Sequence, residues 1–527
     1  MSCTTDALTV DRRRSDGAGD APPSSDGPLA WTRGEVVALV GLVLGFAIAA
    51  AWTLGRQSLT GDEAATWAIS GHSASDLVHV LASSGGDRAA GLYYVALYGW
   101  VRVLGTGAVA LRSLSVLAGV ATLSVFYVLA RRLGRGVAFV AGLVLAASPF
   151  YLLYARQARA YSLAVLLVVL TAWALVRALE TDDAARWTVF VVVATLALYT
   201  QWFTALVIVA FYGAALATSR SALSRRAVAA TAALLVLASP IAVLVATGDT
   251  GGVGWIAPLS VAQLRDLAVS LTGTHSRLAW VVFFGVAAVG LIVGVGRSRS
   301  RASAGSSTVA AIAAAWFVVP TGLLVVVSIG KPLLVSRYLL VTLPGLALLV
   351  GLGVAAVARH RVALMVVGVA LLSALGGSAY GPLWAARHMD EDWSGIVQTV
   401  AAHAAPGQAV LVYPANAVYA FGYYARAAAP LDRRRGPTWP PVAWEAAYGR
   451  DVPRATSVLR TAATVRATTV WLVIRDPVGP TISATTSNPV TLRALEQILG
   501  RRFPHRDVVT RFAHRTASVV RYTASGG

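Results

Sequence analysis

Two adjacent carboxylates, Asp62 and Glu63, stand in the sequence Gly-Asp-Glu-Ala shortly after the first long apolar run of the chain. A carboxylate at the edge of an apolar segment costs free energy if it is buried without a partner, so this pair invites a chemical explanation. One carboxylate can serve as a general base while the other orients a donor or acceptor group. The alternative is an ordinary acidic loop or a helix N-cap, and the spacing alone leaves both open.

The same loop, at about 56–107, holds further candidates for substrate binding. Asp87 and Arg88 precede an aromatic stretch that begins Gly-Leu-Tyr-Tyr, in which Tyr93 is another candidate, and that ends near Trp100. This stretch predicts an amphipathic helix that lies along the membrane interface with its aromatic rings at headgroup depth.

Four cations lie in two later short connectors, at positions where the topology described below predicts little positive charge. Arg156 and Arg159 lie in the first connector, and Lys331 and Arg337 lie in the second. An anionic group held there, such as a lipid phosphate, would stabilise them. The alternative is that their side chains extend to the lipid headgroups. Trp255, in a loop at 248–277, is either an interface anchor or a platform for stacking a sugar.

The elements that must position these residues are membrane helices. Of the 527 residues 57% are hydrophobic and only 13% are charged, whereas soluble domains carry about 25% charged residues. Runs such as Val37–Trp52 and Leu339–Val357 contain no ionised side chain, and about 20 apolar residues span a bilayer. Eleven such runs are predicted, at roughly 37–54, 108–130, 137–154, 161–179, 187–202, 203–218, 227–247, 278–296, 308–328, 338–358 and 362–383.

Arginine-rich connectors predict which ends of these helices share a side. The connectors at 131–135, 220–226, 297–301 and 359–361 fall on the side of the N-terminal tail, residues 1–34, which is predicted to be disordered and cytoplasmic. An odd number of spans then places residues 384–527 outside the cell. Their turn signals and short apolar strands predict a small α/β domain with a net charge of +8, which either faces anionic lipid or contacts an anionic acceptor or carrier.

Several function classes are excluded by composition and motifs. The net charge of +20 does not indicate a nucleic-acid-binding protein, because much of it lies in short loops between apolar helices, where it sets topology. Cys3 is the single cysteine, so neither an intramolecular disulfide nor a cysteine-based zinc site is possible. No metalloprotease, P-loop, serine-hydrolase or dinucleotide-binding motif occurs, so soluble nucleotide chemistry is unsupported.

Taken in order, four segments resemble the GT-C membrane glycosyltransferases, in particular the protein O-mannosyltransferase-like group (family 39) common in actinobacteria. The segments are 61–64; 87–115, from Asp87 through the aromatic stretch to Leu-Arg-Ser-Leu-Ser; 147–161, from Ala-Ser-Pro-Phe to Arg-Gln-Ala-Arg-Ala-Tyr; and 336–344. Asp392-Trp393, followed by Ala-Pro-Gly at 405–407, also looks like the start of the outer domain in such proteins, and the resemblance covers roughly 35–420.

The resemblance implies transfer of a sugar, mannose-like or another, from a polyprenyl-phosphate donor to an acceptor hydroxyl on the outer face of the cytoplasmic membrane. The acceptor would be a cell-envelope glycan, lipid or protein, and no metal or other cofactor is expected. Asp62 matches the catalytic acidic position, where it would act as general base, and Glu63 matches its neighbour. Arg159, Lys331 and Arg337, with Arg156 beside them, are expected to hold the donor phosphate, and Tyr161 is a further candidate for substrate binding.

Two positions depart from the family pattern. Gln157 stands where the motif usually has Glu, and Gln201 stands where a His is frequent. Each replacement keeps a hydrogen-bonding group but removes a charge or a titratable group, so both residues are candidates for setting substrate choice. The alternative function is a transporter or flippase of a lipid-linked saccharide, which predicts charged residues at mid-bilayer and internal repeats. A non-catalytic scaffold is a third reading.

Overall fold

The structure is a computed structural model, and it describes residues 30–70, 73–82, 90–247, 256–299, 304–358, 380–384, 392–405, 408–414, 417–428, 455–475, 489–511 and 517–524. The tail at 1–29, most of the eleventh apolar run and the turn at 406–407 lie outside these ranges.

Helices dominate the chain up to residue 384. They are α1 (Arg33–Ala51), α2 (Gly61–Ser70), α3 (Ala74–Ala82), α4 (Gly91–Leu104), α5 (Ala108–Ala130), α6 (Arg135–Ala146), α7 (Pro149–Ala155), α8 (Tyr161–Thr181), α9 (Ala184–Thr200), α10 (Thr204–Thr218), α11 (Arg225–Thr247), α12 (Val261–Thr272), α13 (Arg277–Arg299), α14 (Ala304–Gly330), α15 (Leu343–Val357) and α16 (Gly381–Trp384). Short 3₁₀ helices lie at Arg131–Leu133, Arg220–Leu223 and Ser336–Thr342.

Ten of the eleven predicted apolar runs coincide with described helices. Seven helices are long and apolar enough to cross a membrane, and α6 with α7 forms an eighth span bent by 61°. The remaining two, α9 and α10, are shorter apolar helices. The prediction of a multi-pass helical membrane protein is therefore confirmed, while the eleventh run lies almost wholly outside the described residues.

Three of the four arginine-rich connectors meet at one end of the helical bundle, as predicted, and the fourth, at 359–361, lies outside the described residues. At this end Arg131 forms an ion pair with Glu35 in the first turn of α1, with 3.0 Å between the charged atoms. Arg132 bonds Glu180 in the last turn of α8, next to the connector between α8 and α9. Ser224 donates to Asp182 in that same connector, and Arg297 donates to the carbonyl of Leu133. The connectors described here therefore share one face of the membrane module.

Close packing of α13 on α15 fixes the helix that follows Arg337. A Cβ atom on Gly290 would lie 1.8 Å from the carbonyl oxygen of Leu349, and one on Gly353 would lie 2.0 Å from that of Val286. Only glycine lets two helix backbones approach this closely, as is common in membrane helices. α15 is almost entirely buried, so the 3₁₀ turn before it is held firmly at the opposite end of the bundle.

The C-terminal region forms the small α/β domain that was predicted. Its elements are α17 (Trp393–His403), β1 (Ala409–Tyr413), α18 (Val418–Ala428), α19 (Ala455–Thr464), β2 (Thr469–Arg475), α20 (Pro489–Arg502), β3 (His505–Arg511) and β4 (Ala517–Thr523). The sheet has the order β1-β2-β4-β3, with β1 parallel to β2 and the other neighbours antiparallel. Residues 385–391 lie outside the described ranges, so the predicted domain boundary after residue 383 stays a prediction.

This domain is attached to the segment between α1 and α2. The backbone N–H of Leu59 donates to the hydroxyl of Tyr424 in α18 at 2.6 Å. Ala64 of α2 packs in one hydrophobic core with Trp393, Phe421 and other apolar side chains of the domain. α2 is therefore held between the membrane helices and the C-terminal sheet.

Candidate active site

Asp62 lies in the first turn of α2 and is the accessible member of the acidic pair. Carboxylates are favoured at this end of a helix because the unpaired backbone N–H groups carry partial positive charge. Protein surrounds the Asp62 carboxylate, yet 57% of its side chain is accessible. The Asp62 carboxylate is therefore accessible to a substrate.

Glu63 has the opposite environment, because it is completely buried and its oxygens are occupied. Arg112 of α5 donates to both of them, at 2.7 and 2.8 Å, and the backbone N–H of Ala158 donates to one at 3.0 Å. Glu63 also accepts from the backbone N–H of Thr60, whose hydroxyl accepts from the N–H of Glu63 in return. This reciprocal pair is a capping box at the start of α2.

The helix-cap alternative therefore accounts for Glu63 but leaves Asp62 free for chemistry. Burial alone would raise the pKa of Glu63, but the charge and hydrogen bonds of Arg112, with the N–H groups of Thr60 and Ala158, hold it below its usual range. A carboxylate so enclosed does not reach a substrate group. Its role in this geometry is to fix the backbone that carries Asp62.

Arginines from two separate connectors face Asp62. Arg337, in the 3₁₀ turn before α15, lies 3.8 Å from the Asp62 carboxylate. Arg159, in the turn between α7 and α8, donates to the Asp62 carbonyl at 3.4 Å and to the hydroxyl of Thr66 at 3.3 Å. Burial would raise the pKa of Asp62, but the positive charges of Arg159, Arg337 and Arg475 outweigh it and lower that pKa. Asp62 is thus ionised at neutral pH.

Aromatic side chains surround the two arginines. The rings of Tyr154 and Tyr161 meet edge to face with centroids 4.8 Å apart, and both lie near the charge of Arg337. Tyr338 stacks on Phe203 at 4.4 Å, next to Arg337 in the chain. Tyr161, one of the predicted substrate-binding tyrosines, therefore lies beside Arg337, which faces Asp62.

Arg156 and Tyr93 are buried and form hydrogen bonds within the protein. The Arg156 guanidinium is buried and donates to the carbonyls of Ala49, Ala50 and Trp52 at the end of α1. A cation here satisfies carbonyl groups that have no partner within the helix. Tyr93 is fully buried, with its hydroxyl 3.2 Å from that of Ser115. Both side chains therefore make contacts within the protein, and their expected roles at the substrate stay predictions.

The other predicted site residues are spread more widely. Gln157 lines a small polar cavity with Glu63, Arg112 and Arg156, behind Asp62. Gln201 is buried at the end of α9, and its side-chain oxygen has no hydrogen-bond donor among the described residues. Lys331 is exposed and forms no ion pair within the described part of the chain, so its contact with a phosphate stays a prediction. Asp87, Arg88 and Trp255 lie outside the described residues.

Arg112 and Arg475 act on the acidic pair, and reasoning from the sequence did not single them out as site residues. Arg112 had a usable signal, because it interrupts a 23-residue helix that is otherwise free of charge, and an ionisable residue in such a helix usually has a dedicated partner. Arg475 had no such signal, since it is one of 17 arginines in the C-terminal region.

Comparison with known proteins supports the class of protein that the sequence predicts, a membrane glycosyltransferase. Residues 92–245 match the family model described as dolichyl-phosphate-mannose-protein mannosyltransferase. The structure is similar to ArnT from Cupriavidus metallidurans in the apo state, with a TM-score of 0.56 and 16% identity over 93% of this chain and 98% of that one. It is also similar to ArnT from the same organism bound to undecaprenyl phosphate, with a TM-score of 0.58 and 17% identity over 94% and 99% of the two chains. No curated protein sequence matches the chain.

These similarities confirm the predicted resemblance. The two ArnT structures establish the GT-C fold. The segment that matches the family model contains Arg112 and Arg159. Together they support a membrane glycosyltransferase, and they lend no support to a flippase.

The buried ion pair leads to a stability prediction. Arg112→Met leaves the Glu63 carboxylate buried without its counter-ion, which should cost about 3–5 kcal/mol of folding free energy. Glu63→Gln should cost less, because Arg112 keeps its bonds to the carbonyls of Leu54, Gln57 and Ser58. Unfolding of the detergent-solubilised protein measures both, with Arg102→Met, an exposed arginine of α4, as the control. Equal stability of Arg112→Met and wild type would contradict this role.

Proposed function

We propose that this chain transfers a sugar from a polyprenyl-phosphate donor to an acceptor hydroxyl, with Asp62 as the general base. The observation that carries the proposal is the position of Asp62, an accessible carboxylate that faces arginines from two different connectors. A base and a pair of cations in one cavity are what a reaction needs if it deprotonates a nucleophile and releases a phosphate.

In the proposed reaction the donor lipid lies in the membrane and its sugar phosphate enters the cavity. Asp62 takes the proton of the acceptor hydroxyl while that oxygen attacks the anomeric carbon. The bond from the anomeric carbon to the phosphate oxygen breaks in the same displacement, with inversion. Arg159 and Arg337 stabilise the negative charge that develops on the departing polyprenyl phosphate. The binding of undecaprenyl phosphate by ArnT, which shares this fold, supports a carrier of that class.

The remaining polar residues near Asp62 have supporting roles in the proposed reaction. Glu63 and Arg112 hold the base in place, and Arg156 holds the end of α1. Tyr161 and Tyr154 lie beside Arg337, where we propose that aromatic faces pack against a sugar ring. We propose no metal in the reaction, since guanidinium groups are available to the leaving phosphate, and transfer should continue in EDTA.

Replacement of the base gives the first test. Asp62→Asn keeps the size of the side chain but cannot accept the proton, so transfer should fall by about 100-fold or more. Membranes supplied with a labelled polyprenyl-phosphate sugar report the transfer. Asp266→Asn, an exposed carboxylate of α12, is the control and should retain activity. Transfer at the wild-type rate by Asp62→Asn would show that Asp62 is not the general base.

The phosphate site is tested separately with undecaprenyl phosphate as the probe. Arg337→Gln removes a charge-assisted hydrogen bond of about 1.5–3 kcal/mol, which corresponds to a roughly 10- to 100-fold weaker affinity for the lipid phosphate. Arg277→Gln, an exposed cation at the start of α13, should bind normally. Binding is measured by the shift in thermal unfolding on addition of the lipid. Unchanged affinity in Arg337→Gln would show that the phosphate lies elsewhere.

We further propose that the cavity and the C-terminal domain face outward and that the arginine-rich connectors face the cytoplasm, as the positive-inside rule favours. In a Cys3→Ser background, a cysteine introduced by Arg506→Cys on β3 should react with a membrane-impermeant maleimide in intact cells. One introduced by Arg220→Cys should react only after permeabilisation. The reverse pattern would invert the topology.

A further inference from the structure

The C-terminal sheet reaches the helix that carries Asp62. Val473 of β2 lies in the same hydrophobic core as Ala64, which stands two residues after Asp62 in α2. Tyr423 of α18 meets the ring of Trp67 of α2 edge to face at 5.1 Å. The sheet and α2 therefore share one hydrophobic core, and α18 packs directly on α2.

The alternation of side chains along β2 determines which face of the sheet carries Arg475. Successive side chains of a strand point to opposite faces. Trp471 and Val473 pack in the core that contains Ala64, whereas Leu472 and Ile474 pack in a separate core on the other face. Arg475 is the last residue of β2 and has the parity of Trp471 and Val473, so it belongs to the face that meets α2.

The charge of Arg475 acts on Asp62 together with those of Arg159 and Arg337. The other two arginines come from connectors of the membrane module, whereas Arg475 comes from the soluble domain. In the proposed reaction Arg159 and Arg337 bind the donor phosphate, which neutralises part of their charge. Arg475 adds its charge from the soluble domain and is not part of that donor site.

We propose that Arg475 is a positioning residue that the C-terminal domain adds to the active site, where it keeps the Asp62 carboxylate charged and aimed at the acceptor hydroxyl after the donor phosphate has bound. The inference rests on the proposed role of Asp62 as base. It gives the C-terminal domain a part in the reaction, because transfer then requires the sheet to be docked on α2.

The pH dependence of transfer separates this role from a structural one. Groups that face Asp62 from the elements packed around it are Glu63, Arg159, Arg337, Arg475, Tyr154, Tyr161 and Tyr338. Tyrosine hydroxyls and arginines do not titrate below pH 7, and Glu63 is held ionised by Arg112. The acid limb of the pH profile therefore reports Asp62.

Arg475→Gln removes a positive charge and so raises the pKa of Asp62. The base then becomes protonated at a higher pH, and the acid limb of kcat/KM for the acceptor, measured at saturating donor, should move to higher pH by up to about one unit. Arg475→Lys keeps the charge and should restore most of the wild-type profile. Arg521→Gln is the matched control, because Arg521 lies on the same face of the sheet but pairs with Asp507 at 2.7 Å.

The result that supports the inference is a shifted acid limb in Arg475→Gln, with rescue by Arg475→Lys and no shift in Arg521→Gln. A wild-type profile in Arg475→Gln would overturn it, as would a uniform loss at all pH values that lysine does not rescue. Asp62→Asn is assayed alongside. If Asp62→Asn is inactive and Arg475→Gln is unchanged, only this inference fails; if Asp62→Asn is active, the proposed function fails as well.

Discussion

The buried ion pair between Glu63 and Arg112 holds the cavity together. It joins the start of α2, the first turns of α5 and the turn at Ala158, since the Glu63 carboxylate also accepts the N–H of that residue. Arg112 in turn donates to backbone carbonyls just after α1. A buried pair this well supplied with hydrogen bonds offsets its desolvation, whereas either partner alone would not. The pair converts an exposed loop into a rigid support for Asp62.

Asp62 and Glu63 are adjacent in sequence and have opposite tasks because of their surroundings. The carboxylate that points inward is saturated by donors, and the one that points into the cavity keeps accessible oxygens. Both are ionised, but for different reasons. Glu63 is fixed by direct hydrogen bonds, while Asp62 is stabilised by the field of arginines that remain able to bind an anion. This division leaves a base and a phosphate-binding surface in one place.

Burial also separates arginines that look alike in the sequence. Arg156 and Arg159 are three residues apart in one turn, yet Arg156 satisfies the carbonyls that end α1 and Arg159 faces Asp62. The sequence predicted both as phosphate ligands, because a cation on that side of the membrane needs a partner of some kind. Whether such an arginine meets a helix end or a ligand depends on which part of the fold packs next to it. The composition of the chain carries no information about this packing.

The sequence by itself determined the membrane helices, the shared side of the basic connectors and two strands of the C-terminal domain, β1 and β2, because these follow from local hydrophobicity and charge. It also singled out Asp62 by its position after the first span. Only the tertiary structure decided that Glu63 fixes the backbone of Asp62 and that Arg112, 49 residues away, is its partner. It also decided that Arg475 approaches Asp62 from the sheet. Such long-range pairings depend on how helices and sheet pack, which no local pattern in the chain records.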